Sequence, residues 1–260
     1  MYQFLIIFTC IWYLSLNASE PKMVYIKSGL YIPFYKASKD GKKTPITISA
    51  FYLDKTPVTN SQYLAFVKKQ PRWKKSKVKQ IFAEKPYLSH WKSDFEFQAK
   101  DKLKPVKYVS WFAAMDYCES LGKELPSVLE WEYVGSASKT KSYAIGDPQY
   151  REMILKWYSK PSNEEIPNVG QGEKNYWGVK DMHGLHWEWT SDFNTSFVTG
   201  ESRADSVIDR NKFCGSGSLN AKDKLDYGAF MRFAFRSSLK GNYTIGNLGF
   251  RCVKRTEVQK

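Results

Sequence analysis

The chain has 260 residues, 42% of them hydrophobic and 16% aromatic, with nine Trp and a formal net charge of +14. A chain of this length and ring content can bury one large core or two small ones, since each ring removes much apolar area from water. No internal repeat or low-complexity tract is present, which excludes a repeat architecture.

The chain opens "MYQFLIIFTCIWYLSLNASE". Residues 3–16 are mostly apolar, and Leu16-Asn17-Ala18 supplies a small-residue cleavage site. Residues 1–18 are therefore expected to be a signal peptide, and residues 19–260 a single exported domain, periplasmic or extracellular. The leader lacks an early Lys or Arg. An uncleaved anchor is the rival reading, although about 14 apolar residues are short for a bilayer. Cys10 is not followed by small polar residues, which argues against a lipoprotein cysteine. Cleavage leaves Cys118, Cys214 and Cys252. In an oxidising compartment that count suggests one disulfide and one remaining thiol.

Residues 23–35 ("MVYIKSGLYIPFY") read as a strand, a Gly turn and a strand, and "ITISAFYLDKTPVT" as β-rich up to Pro57. In "TNSQYLAFVKK", Thr59 can cap a helix with Gln62 reaching back, and Tyr63, Phe66 and Val67 form its apolar stripe. The densest basic run is "KKQPRWKKSKVKQ", residues 68–80. Basic residues beside Trp73 can bind nucleic acid, and the plainer reading is a solvated lysine face. Export argues against nucleic acid and favours an anionic envelope surface or an acidic partner.

Ser110 opens a second helix. Trp111, Ala114, Met115, Cys118 and Leu121 recur at helical spacing, and Gly122 ends it. Cys118 is thereby expected to face the core. Ser127 and Glu130 have capping-box spacing for a third helix. Residues 136–180 read as a long, loop-rich insertion. Gly178 and Gly184 interrupt the aromatic stretch "GVKDMHGLHWEWTSDF", and "NLGFRCVKR" reads as a short strand holding Cys252.

Five segments occur in order: "FYLDKTPVTNSQYLAF", "VSWFAAMDYCESLGKELPSVLEWEY", "WGVKDMHGLHWEWTSD", "GSGS" before "FAFRSS", and "NLGFRC". Together they resemble the formylglycine-generating (sulfatase-modifying factor) family, over roughly residues 23–254. The resemblance implies an α+β, C-type-lectin-like domain with small twisted antiparallel sheets, a few helices and extensive loops. It implies a disulfide between Cys118 and Cys252. It also implies a structural calcium ion held by side chains of Asp181 and Glu188 and carbonyls of Gly184 and His186. A transition-metal set using His183 and His186 is the weaker alternative. Trp187, Ser218 and Arg236 match positions in or near the family's peptide groove. Trp187 could equally pack the core, and Arg236 could pair with a buried acid.

Family oxidases convert a sulfatase cysteine to formylglycine with O2 and copper held by two cysteines. Those thiols follow a Gly-Ser segment, here Ser216-Gly217-Ser218. Counting forward reaches Ala221 and counting back reaches Asp223 and Gly228, none of them a thiol, and residues 215–251 contain no cysteine. Copper(I) favours soft thiolates, so copper is not expected. Cys214 is the one candidate for a non-standard catalytic site, against a plain buried thiol.

The reading reached is an exported binding or maturation factor for another exported protein or peptide, a metalloenzyme being one class of target. The alternatives are a metal-dependent oxidoreductase built around Cys214 and a lectin-like adhesion module. An iron-dependent route is unsupported by three His in the whole chain, and fold analogy alone supports the lectin reading.

Overall fold

The structure is a computed structural model and describes residues 21–33, 44–159, 165–193 and 227–256. The leader, Cys214 and the Ser216–Ser218 segment lie outside those residues. Its central strand is β4, Phe51–Asp54, in which Phe51 and Leu53 turn inward while Tyr52 stays outside, 41% exposed. That is the alternation of a half-buried strand. β1, Met23–Ile26, and β7, Val253–Arg255, flank it, both antiparallel, with Val24 and Val253 each paired to Leu53.

β2, Gly29–Tyr31, pairs antiparallel with β3, Ile46–Ile48, and β5, Trp187–Glu188, pairs parallel with β6, Leu248–Gly249. The strand–turn–strand expected at 23–35 is therefore not a hairpin, because β1 and β2 join different sheets. Gly29 is not a turn residue. It lies in β2 under the Tyr133 hydroxyl, where a Cβ would collide. The C-terminal segment likewise holds two strands, with Cys252 between them.

The helices start where their caps predict. Thr59 and Gln62 form the capping box of α1, Asn60–Lys69, and Ser127 and Glu130 that of α3, Val128–Gly135. Ser110 caps α2, Trp111–Glu119, and Gly122 follows it at φ +64°, the left-handed position glycine favours. The buried face of α2 is Ala113, Ala114, Tyr117 and Cys118. Trp111 and Met115, expected in the core stripe, are half-buried at its margin.

The supposed loop at 136–180 contains a helix, α4, Pro148–Tyr158, started by Asp147 as cap and Pro148 in the first turn. A fifth, α5, Tyr227–Ser237, packs against α4. The larger core cluster joins α1, α2 and the 73–91 segment through rings such as Tyr63, Trp91 and Phe250. A smaller one lies between the strands and α3. Among the described residues no helix is long and apolar enough to cross a membrane.

Candidate functional site

Cys118 and Cys252 are joined by a disulfide, so α2 is tied to the strand end at β7 across 134 residues of sequence. Next to it, Arg251 is fully buried and every N–H of its guanidinium is used. Nε and Nη2 donate to the two Glu188 oxygens, each at 2.8 Å. Nη2 also donates to the Asp181 carbonyl at 3.0 Å, and Nη1 to the carbonyls of Lys180 and Asp54 at 3.1 and 3.3 Å. Trp131 Nε1 donates to Glu188 Oε2 at 2.7 Å. Burial alone would raise the Glu188 carboxyl, and the guanidinium of Arg251 outweighs it, leaving the pKa lowered.

Asp54 completes this layer. Its carboxylate accepts from Lys123 Nζ at 3.1 Å and from the Cys252 amide at 3.0 Å. Burial dominates nonetheless and pushes its pKa up to about 6.

The four residues of the implied calcium loop thus share one corner of the fold. Calcium takes six to eight oxygens. Glu188 already faces Arg251 and Trp131, while the Asp181 carboxylate accepts from the amides of Gly170 and Gly172. What remains of that set is two carbonyls, at Gly184 and His186, well short of the oxygens calcium takes, and this arrangement does not fit the ion. The His186 ring is buried against Gly249, neither nitrogen has a partner, and burial lowers its pKa. His183 donates from Nε2 to the Gly135 carbonyl at 2.7 Å. Burial, with the Arg232 charge adding to it, lowers its pKa to about 3. The two histidines share no metal-ligand cluster, and among the described residues no three His, Cys, Asp or Glu side chains gather at one point.

A second buried charge layer joins α3 to α5. Glu132 accepts from Arg232 Nε and Nη2, at 2.9 and 2.7 Å, and from Arg236 Nη1 at 2.6 Å. Burial raises the Glu132 carboxyl, but the two guanidinium charges outweigh it and set its pKa to about 2. Both arginines also lie over the Trp131 ring, at 5.5 and 4.7 Å. Arg236 is therefore buried and committed to Glu132. Trp187 is half-buried in a stack, 4.5 Å from the Phe235 ring and 5.4 Å from that of Tyr158. Trp187 and Arg236 stand on neighbouring elements, and only Trp187 keeps an open edge.

Gly228, one of the positions where a copper thiol is counted, opens α5 directly against α4. A Cβ there would lie 2.7 Å from Ile154 Cγ2, and the Tyr158 hydroxyl donates to the Gly228 carbonyl. Cys214, Ser218, Ala221 and Asp223 lie outside the described residues. The residues that sequence reasoning missed are Arg251, Glu132 and Arg232. For two of them the available signal was charge inside apolar runs: Arg251 in "LGFRC" and Glu132 in "WEYV" are each the one ionic group among buried neighbours.

The model of the sulfatase-modifying factor enzyme 1-like domain matches residues 15–256. The chain belongs to the sulfatase-modifying factor family. Within that family it is 26% identical over 294 residues to the formylglycine-generating enzyme of Bos taurus, covering 89% of this chain and 74% of that protein. It is 25% identical over 280 residues to the inactive C-alpha-formylglycine-generating enzyme 2 of Mus musculus, covering 91% and 86%. The crystal structure of CarF superposes with a TM-score of 0.53 at 15% identity, covering 92% of this chain and 99% of that one. The sulfatase-modifying factor fold is thus the α+β arrangement of small sheets and few helices described above. Active and inactive relatives stand at similar distance, so identity alone does not assign the reaction.

Proposed function

We propose that this sulfatase-modifying factor-like chain is an exported, non-catalytic accessory factor that binds another exported protein. One observation carries the reading: no cysteine occurs from 215 to 251, where the family's oxidases hold copper. The close approach of Ile154 to Gly228 supports it, since a thiol at that position would have to displace α4. Without paired thiolates, copper(I) lacks the soft ligands it favours. What the fold then offers is a rigid, twice ion-paired and disulfide-tied frame carrying long loops, a form suited to recognition.

The test has two parts. The purified chain is given copper(I), oxygen and a cysteine-containing sulfatase peptide, and aldehyde is assayed with a hydrazide probe while copper is counted by mass spectrometry. The expected result is no aldehyde and copper well below one per chain. Stoichiometric copper with aldehyde would sink the non-catalytic reading and turn attention to Cys214. In intact cells, cross-linking should join the chain to an exported protein; cross-links confined to cytoplasmic proteins would overturn the export and partner assignment.

A further inference from the structure

The outer face of α2 borders a cleft that no part of the charge layers uses. Phe112, Met115, Asp116 and Glu119 fall at i, i+3, i+4 and i+7, one side of the helix, and line one wall of a cleft of about 400 Å³. The opposite wall is the 72–82 segment, which overlaps the basic run at 68–80. Trp73 Nε1 donates to Asp116, and Arg72 donates to the same carboxylate through Nε at 3.2 Å and Nη2 at 2.6 Å. These bonds fasten the two walls together. The rings continue edge to face, with Trp73 to Phe82 at 6.4 Å and Phe82 to Phe112 at 5.6 Å.

Phe82 is 42% exposed and its neighbour Ile81 71%, so the apolar lining reaches solvent. At the mouth stand Lys77 and Lys79, both exposed and neither in an ion pair with any described residue. Asp116 is already matched by Arg72. Glu119, also exposed in the lining, offsets one of the two lysines. The cleft is therefore apolar inside with a rim that keeps one net positive charge, and its volume lies in the range of sites that hold a ligand-sized group, roughly 300–1,000 Å³.

We infer that this cleft binds a linear segment of a partner polypeptide that carries a bulky apolar side chain flanked by carboxylates. The apolar side chain enters between Phe82, Phe112 and Met115, and its flanking acids meet Lys77 and Lys79. Charge complementarity selects an acidic segment. A nucleic acid fits less well: Trp73 is only 5% exposed and offers no free face on which a base can stack. A flat bilayer surface does not enter a slot. The inference rests on the accessory-factor reading for the partner's nature and adds where that partner docks.

The test measures fluorescence anisotropy of a short fluorescein-labelled acidic peptide with one central Phe, titrated with the full chain. The same peptide with Ser for Phe and a single-stranded oligonucleotide of equal length serve as comparisons. Phe82→Ala and the pair Lys77→Glu/Lys79→Glu should each raise Kd by about tenfold or more. The lysines are exposed and their pair should leave the thermal midpoint unchanged, which separates lost binding from the small loss of stability that Phe82→Ala brings with its contacts to Trp73 and Phe112. Equal binding by the variants, or by the Ser peptide, would overturn the cleft assignment. So would tighter binding of the oligonucleotide. The aldehyde assay does not depend on this cleft, so a failure here is distinguishable from a failure of the non-catalytic reading.

Discussion

Arg251 and Glu188 form a two-pronged ion pair with both side chains fully buried, 63 residues apart in sequence. A buried pair of this kind is weak evidence of net stabilisation, but breaking it leaves an uncompensated charge in the core. Glu188→Gln keeps the shape and removes the charge. Its unfolding free energy should fall by about 3–5 kcal/mol, measured as a shift in urea midpoint at constant slope. A loss under 1 kcal/mol, roughly that of an exposed pair, would mean water reaches the guanidinium.

The same guanidinium supplies the positive charge that calcium would bring to this loop. Thermal unfolding should therefore have the same midpoint in chelator as in excess calcium. An ion held at a hundred times its Kd would add about 2.7 kcal/mol, a shift easily seen. A rise of that size on adding calcium would show that Glu188 exchanges Arg251 for the metal.

Acid should weaken the fold from about pH 6.5 downward, through two buried histidines. His90 and His183 both have pKa values lowered to about 3 by burial, from an ordinary 6.5. As pH falls through 6.5 the unfolded chain takes up these protons and the folded chain does not. Stability declines by about 1.4 kcal/mol per pH unit for each histidine. Asp54, raised to about 6, acts with the opposite sign: below that value the folded form holds a proton that the unfolded chain takes only near 3.8, which offsets part of the loss. His183→Gln keeps a donor toward Gly135 and removes one titration. Urea midpoints between about pH 7 and pH 5 should fall less steeply in this variant; an unchanged slope would place the titration elsewhere.

Reducing the Cys118–Cys252 bond frees a loop of 134 residues. The chain-entropy model assigns such a bond about 4–5 kcal/mol. Cys118→Ala/Cys252→Ala should lose stability on that scale, read from chemical denaturation, and a loss below 1 kcal/mol would indicate a compact, already restrained unfolded chain.

Much of the framework was readable in the sequence because the signals were local. Thr59 with Gln62 and Ser127 with Glu130 are three residues apart, and each box closes as their spacing implies. Asp147-Pro148 was an equally good start signal, obscured by the loop-like residues around it. Strand partners were not readable: Gly29 looks like a turn in one dimension and is a point of contact with Tyr133 in three. The ionic layers were hidden for the same reason. Glu132 and Arg232 meet across 100 residues, and no periodicity records a contact of that range.

Strand β4 gains its second neighbour, the disulfide its second sulfur and Glu188 its counter-charge from residues 251–255. During synthesis, then, the nascent chain cannot close its core until this stretch has left the ribosome. Pairings over such separations also form slowly. Until that stretch joins them, β4 keeps a bare edge, Cys118 a free thiol and Glu188 an unmatched charge.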